Sequence, residues 1–88
     1  MIVELFGMAR SLAGATTIDV GGERLTRREL VRALGALLPA LVGSVVDLER
    51  EDFVEPNLLL LDGRRALDAD DPFVASDKPV VLFLASGG

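Results

Sequence analysis

Apolar positions dominate both ends of this chain, and their spacing predicts most of its elements. Residues 2–7, Ile-Val-Glu-Leu-Phe-Gly, are apolar or β-branched with one charge and predict a strand. With Val3 and Leu5 facing a core, Glu4 and Phe6 point outward on the pleat. Met8 to Gly14 reads as a short irregular or single-turn helical segment ended by Gly14. Ala15 to Val20 alternates and is rich in β-branched residues, so a second strand follows. The connection is too short for a crossover helix, which makes the two strands an antiparallel pair. Gly21-Gly22 then turns the chain.

Thr26-Arg27-Arg28-Glu29 has the spacing of a capping box. Leu30, Val31, Leu34, Leu37 and Leu38 recur at helical spacing until Pro39, which predicts a helix over 27–38. Arg27, Arg28 and Arg32 read as a solvated face near its start. Residues 40–48 suit a second short helix, and the charged run 49–52 a loop closed by Pro56. Asn57 to Leu61 is a strand running into an Asp62-Gly63 turn, with a short return strand over 64–67. Pro72-Phe73-Val74 packs inward after the acidic loop 68–71, and Pro79 to Leu84 is the final strand.

That order predicts a two-layer α+β domain: a mixed sheet of about five strands with one main helix packed on one face. The first and last strands, both strongly apolar, are expected side by side and parallel at the centre of the sheet. A sheet covered on one face alternates apolar and polar residues, and the late strands do not. If Leu59, Leu61, Val81 and Phe83 form the core, then Leu58, Leu60, Val80, Leu82 and Leu84 remain outside with Phe6. Either residues 40–48 cover part of that second face or it is a partner surface, as contiguous exposed apolar patches are. The partner surface is the favoured expectation.

Composition narrows the chemistry. Eighty-eight residues make one domain. The 14 acids against 9 bases, a net charge of −5, argue against a nucleic-acid partner and suit a basic protein one. Neither Cys nor His is present, which removes disulfides, thiol or Ser-His nucleophiles and the usual zinc sites. An autonomous enzyme would have to work with carboxylates, Arg, Ser, Thr and one Lys, so the composition points away from one. The acidic runs 49–52 and 68–71 lack the alternate ligand spacing of a calcium loop, and no metal is expected. No run approaches the ~20 apolar residues of a membrane span, and the first residues carry no signal-peptide pattern; the cytoplasm is the expected location.

The tail is the other chemical feature. Gly is roughly 7% of average sequence, so a Gly-Gly end arises by chance in about one chain in 200. The expected organisation is a domain over 1–84 and a flexible tail over 85–88, with Gly87 and Gly88 at its end.

These residues together resemble the ubiquitin-like sulfur-carrier proteins. Leu5-Phe6-Gly7-Met8-Ala9-Arg10-Ser11-Leu12-Ala13-Gly14 is similar to the Leu-Phe, Ala-Arg, Leu, Gly pattern of the small subunit of molybdopterin synthase. Thr26 to Leu41 is similar to the family helix and its exit, Asp62-Gly63 stands where the family carries Asn-Gly, and Ser76-Asp77 stands for Gly-Asp. Ser86-Gly87-Gly88 resembles the family terminus. Length and the N-terminal stretch place the chain nearer that subunit than the shorter thiamine sulfur carrier. Phe83-Leu84 departs from the family, which often has two prolines there, and 42–56 matches nothing in it.

The resemblance implies a ubiquitin-like β-grasp fold and a carrier, not a catalyst. Gly88 would be adenylated by a ubiquitin-activating-enzyme-like adenylyltransferase using ATP, then converted to a thiocarboxylate that donates sulfur to a molybdopterin precursor. The chain itself would bind no cofactor. Gly87 and Ser86 would let the tail enter a narrow channel, since glycine adopts nearly any backbone conformation. Phe6, Leu58, Leu60, Leu82 and Leu84 would dock the adenylyltransferase and the large synthase subunit. A ubiquitin-like modifier that forms an isopeptide through Gly88, and a plain interaction domain, are the alternatives.

Overall fold

The computed structural model describes residues 1–62 and 66–83. In chain order its elements are β1 (Ile2–Leu5), α1 (Met8–Ala13), β2 (Thr17–Asp19), β3 (Arg24–Thr26) and α2 (Arg27–Leu37). A 3₁₀ turn (Pro39–Leu41), β4 (Val46–Asp47), β5 (Asp52–Phe53), β6 (Asn57–Leu61), β7 (Pro72–Val74), a second 3₁₀ turn (Ala75–Asp77) and β8 (Pro79–Phe83) complete it.

The main sheet has the order β2-β1-β8-β6. β1 and β8 are parallel, with Glu4 beside Val80 and Leu5 beside Val81. β1–β2 and β6–β8 are antiparallel. The sheet is therefore mixed, as expected, and four strands belong to it among the described residues. Two short antiparallel ladders, β3–β7 and β4–β5, stand outside it.

Local signals explain the helices. Thr26 caps α2, accepting from the Glu29 N–H at 3.1 Å, while Glu29 accepts from the Thr26 N–H at 2.9 Å. Two otherwise unpaired donors are satisfied reciprocally. Pro39, which cannot continue the helix, starts the 3₁₀ turn that follows. Gly14 ends α1 in the left-handed region at φ 68°, its N–H donating to the Arg10 carbonyl.

α2 buries Leu30, Val31, Leu34 and Gly35 against the inward residues of the sheet: Val3, Leu5, Leu59, Leu61 and Val81. Ala9, Leu41, Val45, Val46, Phe53 and Phe73 complete that single core. Each fully buried aliphatic side chain contributes about 1.5–3 kcal/mol relative to exposure. The core accordingly sits on one side of the sheet only.

Several expectations are corrected. Residues 40–48 form no second helix: after the turn at Pro39–Leu41 the chain becomes β4, and Val45 and Val46 enter the same core. β-branched valines with a ladder partner in β5 favour extended backbone there. The segment therefore does not cover the outer face. Residues 66–67 carry no strand, and 63–65, which include Gly63 and Arg64, lie outside the described residues.

Nor are the three arginines of α2 simply solvated. Arg27 donates to the Leu67 carbonyl and lies 3.3 Å from the Asp52 carboxylate. Arg28 bonds Asp70 at 2.9 Å, and Arg32 pairs with Glu51. The helix start thus clamps both acidic loops, each too charged to be held by apolar packing.

The hydrogen bond from Arg28, and then its charge, hold the Asp70 carboxyl below its ordinary range. A depressed folded-state value means stability present above the unfolded value of about 3.9 and lost as pH falls through the lower folded one. Both groups are exposed, so the contribution is small. Urea midpoints of wild type and Asp70→Asn are expected to differ slightly at pH 7, with wild type higher, and to converge by about pH 2. Leu34→Ala, which removes three buried carbon atoms from the core, should reduce unfolding free energy by about 2–5 kcal/mol in the same measurement.

Candidate functional site

Alternation along β1, β8 and β6 sets two faces. Inward residues Val3, Leu5, Leu59, Leu61 and Val81 are buried. On the outward face Leu58 pairs with Leu82, Leu60 with Val80, and Val80 in turn with Glu4 across β1. Phe6 continues β1, its N–H donating to the Val81 carbonyl at 2.8 Å. Phe6 is 45% exposed, and Leu58, Leu60, Val80 and Leu82 are half-buried. Cross-strand neighbours of this kind stand about 4.5–5.5 Å apart, so the five form one apolar surface.

No described helix covers that surface. Ala9 of α1, the four buried positions of α2 and Leu41 of the 3₁₀ turn all belong to the core on the opposite side. Four of the five expected docking residues, Phe6, Leu58, Leu60 and Leu82, are therefore brought together on the uncovered face. Leu84, Ser86, Gly87 and Gly88 lie outside the described residues.

Phe83 corrects a core expectation: it is 37% exposed. It shares the inward parity of Val81 but lies opposite Asn57, the first residue of β6, where the sheet ends. Its neighbour is Gly7, which has φ 65° and on which a Cβ would lie 2.8 Å from the Phe83 Cβ. Met8 and Leu12, one turn apart on α1, are also exposed, and α1 packs against β8. Sequence reading missed this apolar flank because an irregular segment has no faces; the Met8/Leu12 spacing was the available signal.

A second concavity lies at the edge strand β6. It encloses about 190 Å³ and is lined by Arg27, Arg50, Asp52, Glu55 and Asn57, among others. Asn57 is 4% exposed; its amide donates to the carbonyls of Val54 at 2.9 Å and Ser44 at 3.2 Å. Among the described residues Asn57 Oδ1 and Arg27 Nε have no hydrogen-bond partner, the Asp52 contact of Arg27 being close but poorly aligned. A polar space of this size with a free donor and acceptor accommodates water. Among the described residues no three His, Cys, Asp or Glu side chains form a group suited to a metal ion, and no helix is long and apolar enough to cross a membrane.

A mixed sheet with first and last strands parallel at its centre, crossed on one face by a single capped helix, is the ubiquitin-like β-grasp fold. Solved structures similar to this chain are those of small archaeal modifier proteins. The crystal structure of SAMP1 from Haloferax volcanii is 27% identical, with a TM-score of 0.74 over 100% of this chain and 98% of that one. A crystal structure of H. volcanii small archaeal modifier protein 1 is 24% identical, with a TM-score of 0.72 over 97% of each chain. No protein-family model and no curated protein matches the sequence to significance.

Gly7 is the backbone position on which the flank of β8 depends. A side chain there combines a positive φ with a contact against a strand residue. Gly7→Ala is expected to cost about 1–3 kcal/mol by urea unfolding. Amide chemical shifts at Phe83 and Leu82 should move more than those of α2.

Proposed function

We propose that this chain is a cytoplasmic, ubiquitin-like carrier whose Gly88 carboxylate is activated by a ubiquitin-activating-enzyme-like adenylyltransferase and converted to a thiocarboxylate. The observation that carries the reading is the uncovered apolar face on β1, β8 and β6, ending where β8 leads into Leu84-Ala85-Ser86-Gly87-Gly88. A partner seated on that face stands within reach of Gly88, because five residues span at most about 17 Å. The structural likeness to small archaeal modifier proteins, which extends over the whole chain, supports the same reading.

The chemistry requires no catalytic group on this chain. A carboxylate is a poor electrophile until attack on the α-phosphate of ATP gives an acyl adenylate and pyrophosphate. A persulfide on the partner then attacks the carbonyl carbon, the bond to AMP breaks, and an acyl disulfide remains. A thiol reduces that disulfide, is itself oxidised, and frees the thiocarboxylate. ATP is used by the partner, and this chain contributes the docking face, with Phe6, Leu58, Leu60, Leu82 and Leu84, and the tail, with Ser86, Gly87 and Gly88. The resemblance of Leu5 to Gly14 to the small subunit of molybdopterin synthase makes that enzyme's large subunit the acceptor complex of choice, in molybdenum cofactor biosynthesis.

A second reading, protein modification, is favoured by what the similar structures are called. The two share adenylation and divide at the nucleophile: sulfur in one, a lysine amine in the other. Intact-mass spectrometry after incubation with the adenylyltransferase, ATP and a persulfide donor decides between them. The carrier reading expects one sulfur-for-oxygen exchange located at Gly88, absent when Gly88 is deleted. Isopeptide adducts on substrate lysines without that exchange would support the modifier instead.

A further inference from the structure

On β1, β8 and β6 the outward face that the proposed function assigns to a partner contains one charge, while Asp19 of β2 on the same face is paired with the Met1 ammonium. Glu4 sits on β1 between Thr17 of β2 and Val80 of β8, with Leu60 one strand beyond Val80. The next positions along these strands are Phe6 and Leu82. Glu4 is exposed, and among the described residues no cation forms an ion pair with it. The other carboxylates that meet arginines do so around α2, on the far side of the sheet.

A protein covering Phe6, Val80, Leu82, Leu58 and Leu60 also takes Glu4 out of water. Burying a carboxylate without a partner is strongly unfavourable, and a charge-assisted hydrogen bond offsets it. A second copy of this chain is poorly suited, because the same face on the other copy offers Glu4 no cation. The net charge of −5 also repels a second copy and attracts a basic surface.

We propose, resting on the carrier reading above, that the adenylyltransferase presents an arginine or lysine within its apolar docking surface, directly opposite Glu4. Glu4 is then the specificity residue of the face: the leucines and Phe6 provide contact area, and the carboxylate selects a basic partner over apolar or acidic ones.

The test is ATP–pyrophosphate exchange by the source organism's ubiquitin-activating-enzyme-like adenylyltransferase, with wild type, Glu4→Gln and Glu4→Arg as substrates. Circular dichroism and urea unfolding establish that each variant is folded. KM for the chain is expected to rise about tenfold in Glu4→Gln and further in Glu4→Arg, with the loss in KM rather than kcat. Added salt should raise KM for wild type more than for Glu4→Gln. Exchange with wild type and an unchanged KM for Glu4→Arg overturns this inference and leaves the carrier reading intact. An absence of exchange with wild type overturns the carrier reading and this inference with it. A micromolar wild-type dimer in sedimentation velocity, dissociated by Glu4→Arg, would assign the face to a second copy and overturn the basic partner.

Discussion

The parallel pairing of β1 with β8 is the constraint on which the rest of this structure depends. Parallel neighbours cannot be joined by a tight turn, so the chain must cross from one end of the sheet to the other between them. It does so through β2, α2 and the β4–β5 ladder before β6 and β8 close the sheet. One consequence is a core built from both ends of the sequence, with Val3 and Leu5 beside Val81. Another is that Phe6, where β1 ends, and Phe83, where β8 ends, flank the point from which the last five residues depart. The outer apolar face and the last described residue of β8 are thus positioned by a single ladder.

Because side chains alternate with period two, that ladder also ties the outer face to the core. A slip of one residue in β8 would send Val81 outward and Leu82 inward. The partners of β8 resist such a slip from both sides: Leu5 beside Val81 in one ladder, Leu59 opposite Val81 in the other. An apolar outer face is tolerable in a small domain only if its register is secure, since an alternative pairing would be as apolar as the native one. Here the inward residues are fully buried while their outward neighbours are half-buried, so burial distinguishes the two registers.

Much of this was legible because it is local or periodic. Thr26 and Glu29 form the capping box their spacing announces, Pro39 ends the helix, and Gly14 takes the left-handed cap. The parallel central pair followed from two runs too apolar for an edge. What escaped depends on long-range partners. β3 and β7 are three residues each, too short for a periodic signal, and exist because Leu25 and Phe73 meet in a ladder. The roles of Arg27, Arg28 and Arg32 required knowing that two acidic loops return to the same helix end. Phe83 has the parity of a core residue, and only the end of β6 opposite Asn57 shows why it is not one.

The distribution of charge completes the physical picture. A domain of this size with net charge −5 would be expected to spread its carboxylates over every open surface, yet the arginines of α2 gather Glu51, Asp52 and Asp70 on the helix side. This leaves the outer face of β1, β8 and β6 almost neutral and apolar, with Glu4 as its single anion. The net negative charge attracts basic surfaces over the roughly 8–10 Å that salt permits, whereas an apolar strand face acts only at contact.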